Sequence, residues 1–264
     1  MNLTGRVAIV TGAGRGLGKA ISIAFELSGA NVTLFSLLKN ELDDVSADLD
    51  KLGGEYLLHA GDTTDQQEVE SVVEETMNRF GRIDILVNNA GIIGPARFLE
   101  DALPSQWKQT LDINLTGCYL FCRNVLPSMV SHGSGKIINI VSGLGQMPFP
   151  RFCAYSVSKA GLIQLTRSLS EELKPFNIQV NAVDPGLMDT AIGSDIRAMG
   201  PDVLGEGLYN QMIEYKEQGI LKEPKGVADL VAFLASSDSG DMTGHIGTLK
   251  YYRRLGWNQS EPLV

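Results

Sequence analysis

The sequence predicts an α/β fold in which a doubly wound parallel sheet is covered by helices on both faces. Short apolar runs of β-type composition alternate with amphipathic helical stretches along the chain, and this alternation is typical of parallel sheets. Several of the runs are apolar throughout, as expected for strands that are buried on both faces. The predicted strands are Val7–Val10, Val32–Phe35, Tyr56–Leu58, Ile83–Val87, Ile137–Val141 and Ile178–Val183.

Two of the intervening segments have a clear helical periodicity, with apolar side chains on one face. These faces comprise Val69, Val72, Val73, Met77 and Phe80 in the first segment, and Leu162, Leu165, Leu169 and Leu173 in the second. No linker rich in Ser, Pro or Gly and no internal repeat divides the 264 residues. We therefore expect residues 1–264 to form a single domain.

A glycine-rich turn connects the first predicted strand to a helix that begins near Leu17. The turn reads Thr-Gly-Ala-Gly-Arg-Gly-Leu-Gly at residues 11–18, with glycines at Gly12, Gly14, Gly16 and Gly18. Glycines allow a tight turn, and the amides at the start of a helix bind a pyrophosphate. The turn therefore predicts a dinucleotide site, although turns of this kind also occur for structural reasons alone.

The end of the second predicted strand indicates which dinucleotide binds. NAD sites usually have an Asp or Glu here that binds the ribose 2′-hydroxyl, whereas this chain has Ser36, and Glu41 is the next carboxylate. Arg15 in the turn, or Lys39, is available to pair with a 2′-phosphate. We expect NADP as the cofactor and keep NAD as the alternative. A merely solvated Arg15 is the competing interpretation.

Two further strand ends supply candidate cofactor contacts. Asp62 follows the third strand and is placed to accept a hydrogen bond from an adenine amine; its alternative role is a helix cap, for which Asp65 and Thr64 are better placed. Asn-Asn-Ala-Gly at residues 88–91 follows the fourth strand, and its small residues allow the backbone to pass close to a ribose. Asn88, Ala90 and Gly91 are therefore candidate contacts, with an ordinary strand-end turn as the alternative.

The chemistry is predicted to depend on Tyr155, Lys159 and Ser142. Tyr155 and Lys159 are four residues apart and share one helix face. A tyrosine hydroxyl has an ordinary pKa of about 10, and a neighbouring ammonium is expected to lower that pKa. The pair is a candidate general acid/base, with Ser142 placed to hold a substrate oxygen. A surface helix with an incidental Tyr and Lys is the alternative.

The composition argues against several classes of function. Hydrophobic residues make up 44% of the chain and the formal net charge is −9, which disfavours nucleic acid and anionic membranes as partners. The apolar runs are too short to cross a bilayer. Cys118, Cys122 and Cys153 lack the spacing of metal ligands, so we expect no metal site. Their pattern suits a reducing, cytoplasmic location.

Together these elements resemble the short-chain dehydrogenase/reductase family in its one-domain form. The matching positions follow the family's order and are residues 11–18, Asp62, residues 88–91, Asn114, Ser142, Tyr155, Lys159, Pro185, Gly186 and Thr190. The resemblance implies a Rossmann fold and an NAD(P)-dependent oxidoreductase. It also implies a homodimer or homotetramer, formed through the helices around residues 107–131 and 155–175.

The resemblance implies a role for each matching side chain. Tyr155 is expected to be the acid/base, Lys159 to lower its pKa and hold the nicotinamide ribose, and Ser142 to orient the substrate. Asn114 is expected to support a proton-relay water through a distortion of the helix backbone. The residues expected to border the nicotinamide are Pro185, Gly186 and Thr190.

Two segments are distinctive. Residues 187–222 are rich in glycine, appear irregular and follow a strand end, so we interpret them as a substrate lid; a poorly ordered insertion is the alternative. Residues 245–264 lack the family's Asp-Gly-Gly ending and contain the basic and aromatic stretch 250–257. This tail either packs on its own domain or covers a partner subunit's active site.

The expected reaction is hydride transfer between a nicotinamide and a carbonyl or secondary alcohol of a small to medium hydrophobic substrate, such as a ketone or a 3-oxoacyl group. Candidate pocket residues are Leu144, Met147, Phe149, Pro150, Phe152, Cys153, Leu187, Met188, Ile192 and Met212. A non-catalytic nucleotide-binding scaffold or sensor is one alternative. An epimerase or dehydratase on the same fold is the other.

Overall fold

A parallel sheet of seven strands forms the centre of the protein. The computed structural model describes residues 1–258, apart from the side chains of residues 191 and 192. The strands of this part of the chain are β1 (Val7–Thr11), β2 (Asn31–Ser36), β3 (Tyr56–Ala60), β4 (Ile85–Asn88), β5 (Gly135–Ile140), β6 (Ile178–Val183) and β7 (Ile246–Gly247). Their spatial order is β3-β2-β1-β4-β5-β6-β7. The predicted doubly wound α/β fold is confirmed.

Helices connect the strands. Among the described residues they are α1 (Gly16–Leu27), α2 (Lys39–Leu49), α3 (Gln66–Phe80), α4 (Pro104–Leu111), α5 (Gly117–His132), α6 (Cys153–Glu172), α7 (Ala191–Ala198), α8 (Gly200–Leu204), α9 (Glu206–Glu217), α10 (Pro224–Ala235) and α11 (Leu249–Arg254). A π-helical turn, Asp112–Thr116, separates α4 from α5. Asp65 caps α3 by accepting hydrogen bonds from the amides of Gln67 and Glu68, so the cap is at the residue that the sequence favoured.

Separate apolar cores cover the two faces of the sheet. On β1, Ala8 and Val10 belong to the core formed with α1, α2 and α10, whereas Ile9 belongs to the core formed with α3 and α5. Successive side chains of a strand point to opposite faces, so a strand covered on both faces is apolar at every position. This burial explains why the predicted strands show no alternation.

The strand order reverses between β1 and β4. From β1 the sheet grows outward to β3, and the chain then returns to the other side of β1 to form β4. The connections that follow these two strands lead to opposite faces of the sheet and leave a crevice at its carboxyl edge, where open α/β sheets bind ligands. The glycine-rich turn and residues 88–91 both lie at this crevice.

The segment 187–222 differs from its predicted irregular form, because it contains the three helices α7, α8 and α9. Its glycines do not prevent helix formation: Gly200 and Gly205 stand at the boundaries between helices. The two ends of the segment are joined, since the amide of Lys222 donates to the carbonyl of Leu187 at 3.1 Å. The segment therefore leaves and rejoins the sheet edge at one place.

The C-terminal segment packs against its own chain through residue 258. Tyr252 and Trp257 are buried in the core beside α10, and the Tyr252 hydroxyl lies 2.9 Å from the carbonyl oxygen of Ala182 on β6. Of the two interpretations of the tail, packing on its own domain is the one observed here. Residues 259–264 of the predicted tail lie outside the described residues.

None of the helices within residues 1–258 has both the length and the apolar composition that a bilayer-spanning segment requires.

Candidate active site

Tyr155, Lys159 and Ser142 lie together at the carboxyl edge of the sheet. Ser142 follows β5, and Tyr155 and Lys159 lie in the first two turns of α6. The Lys159 ammonium is 5.8 Å from the centre of the Tyr155 ring, and Ser142 is hydrogen-bonded to the Tyr155 hydroxyl. The three side chains, which the sequence places between residues 142 and 159, are therefore neighbours.

Burial controls the ionisation of this group. Burial raises the pKa of Tyr155, the hydrogen bond with Ser142 opposes that change, and the charge of Asp184 adds to it. Burial also lowers the pKa of Lys159, which is 4% exposed and donates to the Ile140 carbonyl at 2.7 Å. The prediction that Tyr155 has a lowered pKa is therefore wrong for this structure, because desolvation of the phenolate is the dominant effect.

Asn114 is fully buried at the centre of a hydrogen-bond network. Its Oδ1 accepts from the amide of Ile92, and its Nδ2 donates to the Ile92 carbonyl, both at 2.8 Å. Nδ2 also donates to Ser158 at 3.0 Å, and Ser158 in turn donates to the Tyr155 carbonyl at 2.7 Å. Asn114 lies in the π-helical turn, which is the backbone distortion that the resemblance implied.

The glycine-rich turn approaches β4 too closely for any side chain. A β-carbon on Gly12 would lie 2.9 Å from the Cα atom of Ala90, and one on Gly18 would overlap the carbonyl oxygen of Gly12. Within the described chain, the Arg15 side chain at the N-cap position of α1 makes no capping hydrogen bond. The first amides of this 12-residue helix are therefore available to an anion, and the turn fits a pyrophosphate.

Residues 88–91 hold the crevice together in two ways. The Asn88 side chain points into the interior and donates to Asn139 of β5 at 2.8 Å, so only the backbone of Asn88 is left to approach a ribose. Asn89 instead faces the glycine-rich turn and donates to the carbonyl of Thr11 at 2.9 Å. The asparagines thus join β4 to both neighbouring strands.

Gly91 lies directly against Asn114 and Lys159. A β-carbon at Gly91 would lie 3.2 Å from Oδ1 of Asn114 and 3.6 Å from the Lys159 ammonium. The backbone itself therefore forms this wall, and the cofactor contact of Gly91 stays a prediction.

The nucleotide end of the crevice contains a carboxylate that the sequence did not place there. Glu41, in the first turn of α2, lies beside Ser36 and Gly14, and its Oε1 is 3.4 Å from Nε of Arg15. Arg15 is also 3.9 Å from Asp195 of α7. Arg15 therefore has two carboxylate neighbours, while its side chain is 56% exposed.

The remaining predicted cofactor residues lie along the same edge. Asp62 accepts hydrogen bonds from the amide and hydroxyl of Thr64, at 2.8 and 2.9 Å. Pro185 is buried after β6, and the amide of Gly186 donates to Asp184 at 3.0 Å. A β-carbon at Gly16 would lie 3.7 Å from the Thr190 side chain, so the segment that starts α7 contacts the glycine-rich turn. Leu17 is buried at the start of α1.

An apolar cluster joins Tyr155 to α7, α8 and α9. Its buried members are Ala96, Phe152 and Leu204, and its partly buried members are Ile93, Leu144, Tyr155, Ile196, Met199, Val203, Leu208, Tyr209 and Met212. Of the predicted pocket residues, Leu144, Phe152 and Met212 belong to it. Met147 and Leu187 are mostly exposed, Met188 packs on the sheet core, and the Ile192 side chain lies outside the described residues.

The sequence analysis missed several residues of the site. Glu41 was set aside because it is five positions beyond Ser36, although a helix that starts at Lys39 returns its first turn to the strand end. Ser158 and Asp184 were also missed. Asp184 directly follows β6, so its place at a strand's carboxyl end was the available signal.

Comparison with known proteins identifies the family. A family model described as short chain dehydrogenase matches residues 6–200. The chain belongs to the short-chain dehydrogenase family. A curated relative, the 3-oxoacyl-[acyl-carrier-protein] reductase FabG of Thermotoga maritima, is 33% identical over 246 residues, which are 93% of this chain and 96% of that protein.

Solved structures of short-chain dehydrogenases share the fold throughout. Levodione reductase superposes with a TM-score of 0.87 at 28% identity, covering 97% of this chain and all of that one. NAD⁺-bound xylitol dehydrogenase gives 0.84 at 28% identity over 94% of this chain and 98% of that one. An actinorhodin polyketide ketoreductase with NADPH gives 0.86 at 29% identity over 92% and 95%. Relatives of similar likeness thus contain different nucleotides.

Proposed function

We propose that the protein is an NAD(P)-dependent oxidoreductase that interconverts a carbonyl group and a secondary alcohol, with Tyr155 as the acid/base. The observation that carries this proposal is the convergence of Tyr155, Ser142 and Lys159 beside the glycine-rich turn. A proton donor and a dinucleotide site then face one crevice. The likeness to a 3-oxoacyl reductase and to a ketoreductase supports the same reaction type.

Each side chain has a defined task in this proposal. A nicotinamide cofactor supplies or accepts the hydride when it is bound. Tyr155 gives its proton to the carbonyl oxygen on which negative charge develops, and the Ser142 hydroxyl orients that oxygen. Lys159 holds the ribose beside Gly91. Asn114 fixes the backbone around Ile92 and, through Ser158, the start of α6.

The surroundings of Tyr155 suit a proton donor. Burial raises the pKa of Tyr155, which favours the protonated hydroxyl. A protonated hydroxyl is the general acid that carbonyl reduction requires, whereas alcohol oxidation requires the phenolate. We therefore propose that Tyr155 donates its proton in the reduction.

The substrate is proposed to be small to medium in size and hydrophobic, as a ketone or a 3-oxoacyl group is. The apolar cluster around Phe152, Leu204 and Met212 supports this class, because it brings carbon surface against Tyr155. The helices α7–α9 supply much of that surface, and we propose that residues 187–222 act as the lid.

Other expectations remain predictions. A homodimer or homotetramer is one; Phe121 and Leu162 are fully buried inside the chain, so any interface must use other residues of those helices. The others are a cytoplasmic location and the organisation of residues 1–264 as one domain.

The proposal is tested by stoichiometry. Purified protein is given NADH or NADPH with a panel of aliphatic, aromatic and 3-oxoacyl ketones, and oxidation of the nucleotide is followed by absorbance while the alcohol is quantified. We expect one alcohol for each nucleotide oxidised. Product that forms without net nucleotide oxidation would instead indicate an epimerase or dehydratase.

A further inference from the structure

The carboxylate of Glu41 lies at the end of β2. A β-carbon placed on Gly14 would lie 3.0 Å from Oε2 of Glu41 and 3.0 Å from the hydroxyl oxygen of Ser36. Both polar groups therefore converge on one point of the glycine-rich turn. The Glu41 side chain is 19% exposed, so it faces the crevice and not bulk solvent.

The cations at this end of the crevice already have carboxylate partners. Arg15 is paired with Glu41 at 3.4 Å and lies 3.9 Å from Asp195. Lys39 is paired with Asp43 at 2.7 Å. These five groups contribute three negative charges and two positive ones. A phosphate bound to Arg15 would lie close to the Glu41 carboxylate, which is 3.4 Å from Nε of the same guanidinium.

The two uncharged residues that follow Ser36 provide no side-chain hydrogen bond to a phosphate. After Ser36 come Leu37 and Leu38, whose side chains are exposed and have no hydrogen-bond donor. A carboxylate beside a serine hydroxyl suits the neutral hydroxyls of a ribose, which donate to it. A dianionic phosphate has no proton to donate and is repelled by the same carboxylate.

We propose that Glu41 determines nucleotide selectivity and that this chain binds NAD(H) in preference to NADP(H). The proposal rests on the proposed function, since it concerns the nucleotide of that same site. It replaces the expectation of NADP, whose premise was that no carboxylate reaches the end of β2. The first turn of α2 brings Glu41 there, and Glu41 engages the arginine on which NADP binding was predicted to depend.

Direct binding tests the proposal independently of turnover. NADH and NADPH are titrated separately into the wild type, Glu41→Gln and Asp44→Asn by isothermal calorimetry. Asp44→Asn is the matched control, because it also removes a carboxylate from α2, but one on an exposed residue outside the group of Glu41, Arg15, Asp195, Lys39 and Asp43.

We expect the wild type to bind NADH about tenfold or more tightly than NADPH, which is the size of one hydrogen bond to a charged group. Glu41→Gln should reduce that ratio by about tenfold or more, and Asp44→Asn should leave it unchanged. A wild type that prefers NADPH or binds both equally, or a ratio that Glu41→Gln does not alter, would overturn the assignment of Glu41.

A second variant, Arg15→Ala, tests the competing assignment in which Arg15 binds the 2′-phosphate of NADP(H). If Arg15 holds a 2′-phosphate, Arg15→Ala weakens NADPH binding alone, and that result would overturn the proposal. Our proposal expects no selective loss of NADPH. Failure of the wild type to bind either nucleotide would contradict the proposed function as well, whereas binding without selectivity would contradict only the present inference.

Discussion

Replacing Asn114 by alanine should destabilise the protein severely, because Asn114 satisfies both backbone polar groups of Ile92. Asn114→Ala leaves that amide and that carbonyl without these partners. Each unsatisfied buried group costs about 1–3 kcal/mol, so we expect the free energy of unfolding to fall by about 2–5 kcal/mol. Ser158 keeps its hydrogen bond to the Tyr155 carbonyl and adds little to the loss.

Equilibrium unfolding in urea, followed by circular dichroism at fixed protein concentration, measures this loss. Asn124→Ala is the matched control: Asn124 is half-buried in the adjacent helix α5 and makes one hydrogen bond, to the Leu120 carbonyl at 2.9 Å. The free energy of unfolding should fall by about 1 kcal/mol or less in this control. Equal losses in the two variants would show that the network around Asn114 has no special stabilising role.

Three further perturbations test other parts of the structure. Tyr252→Phe removes the hydroxyl that reaches β6 and should lower the free energy of unfolding by about 1 kcal/mol, whereas Tyr252→Ala should lower it by about 3–5 kcal/mol. If neither variant shifts the thermal unfolding midpoint, the tail does not stabilise the domain. Burial raises the pKa of Asp84, but hydrogen bonds from two arginines and a backbone amide outweigh this effect and hold the pKa below its usual range. The stability that these interactions provide is present above about pH 3.9 and is lost as the pH falls through the lower pKa of the folded state. Asp84→Asn should therefore weaken the loss of stability at acid pH in a curve of unfolding free energy against pH, and an unchanged curve would refute this. Arg151→Gln removes the hydrogen bond to the Val203 carbonyl of α8 and should raise KM for the carbonyl substrate more than it lowers kcat. Steady-state kinetics in which kcat falls by more than KM rises would refute a role of Arg151 in holding the lid.

The strands and most site residues were predictable because their signals are local. Continuous apolar runs reveal buried parallel strands, and the glycines of residues 11–18 indicate a tight turn between a strand and a helix. Tyr155 and Lys159 share a helix face by their spacing alone. The position of Asn114, by contrast, was implied only by family resemblance, since its hydrogen-bond partners are distant in sequence.

The features that the sequence did not predict depend on contacts between elements that meet only in the folded structure. Glu41 reaches Ser36 because α2 begins directly after β2, and a count of residues along the chain does not reveal that approach. The pKa of Tyr155 depends on how far the other segments of its apolar cluster bury the side chain. The glycines of residues 187–222 suggested irregular structure, whereas Gly200 and Gly205 lie at helix boundaries, and Gly193 and Gly207 lie within helices.

The most direct test of the account is the turnover of Tyr155→Phe, measured together with its affinity for the nucleotide. Tyr56→Phe, on the outer strand β3, is the control for loss of a tyrosine hydroxyl. We predict that Tyr155→Phe lowers kcat by about a hundredfold or more, the usual contribution of a positioned acid, while nucleotide affinity changes little. Retained turnover in Tyr155→Phe would contradict the assignment of Tyr155 as the proton donor.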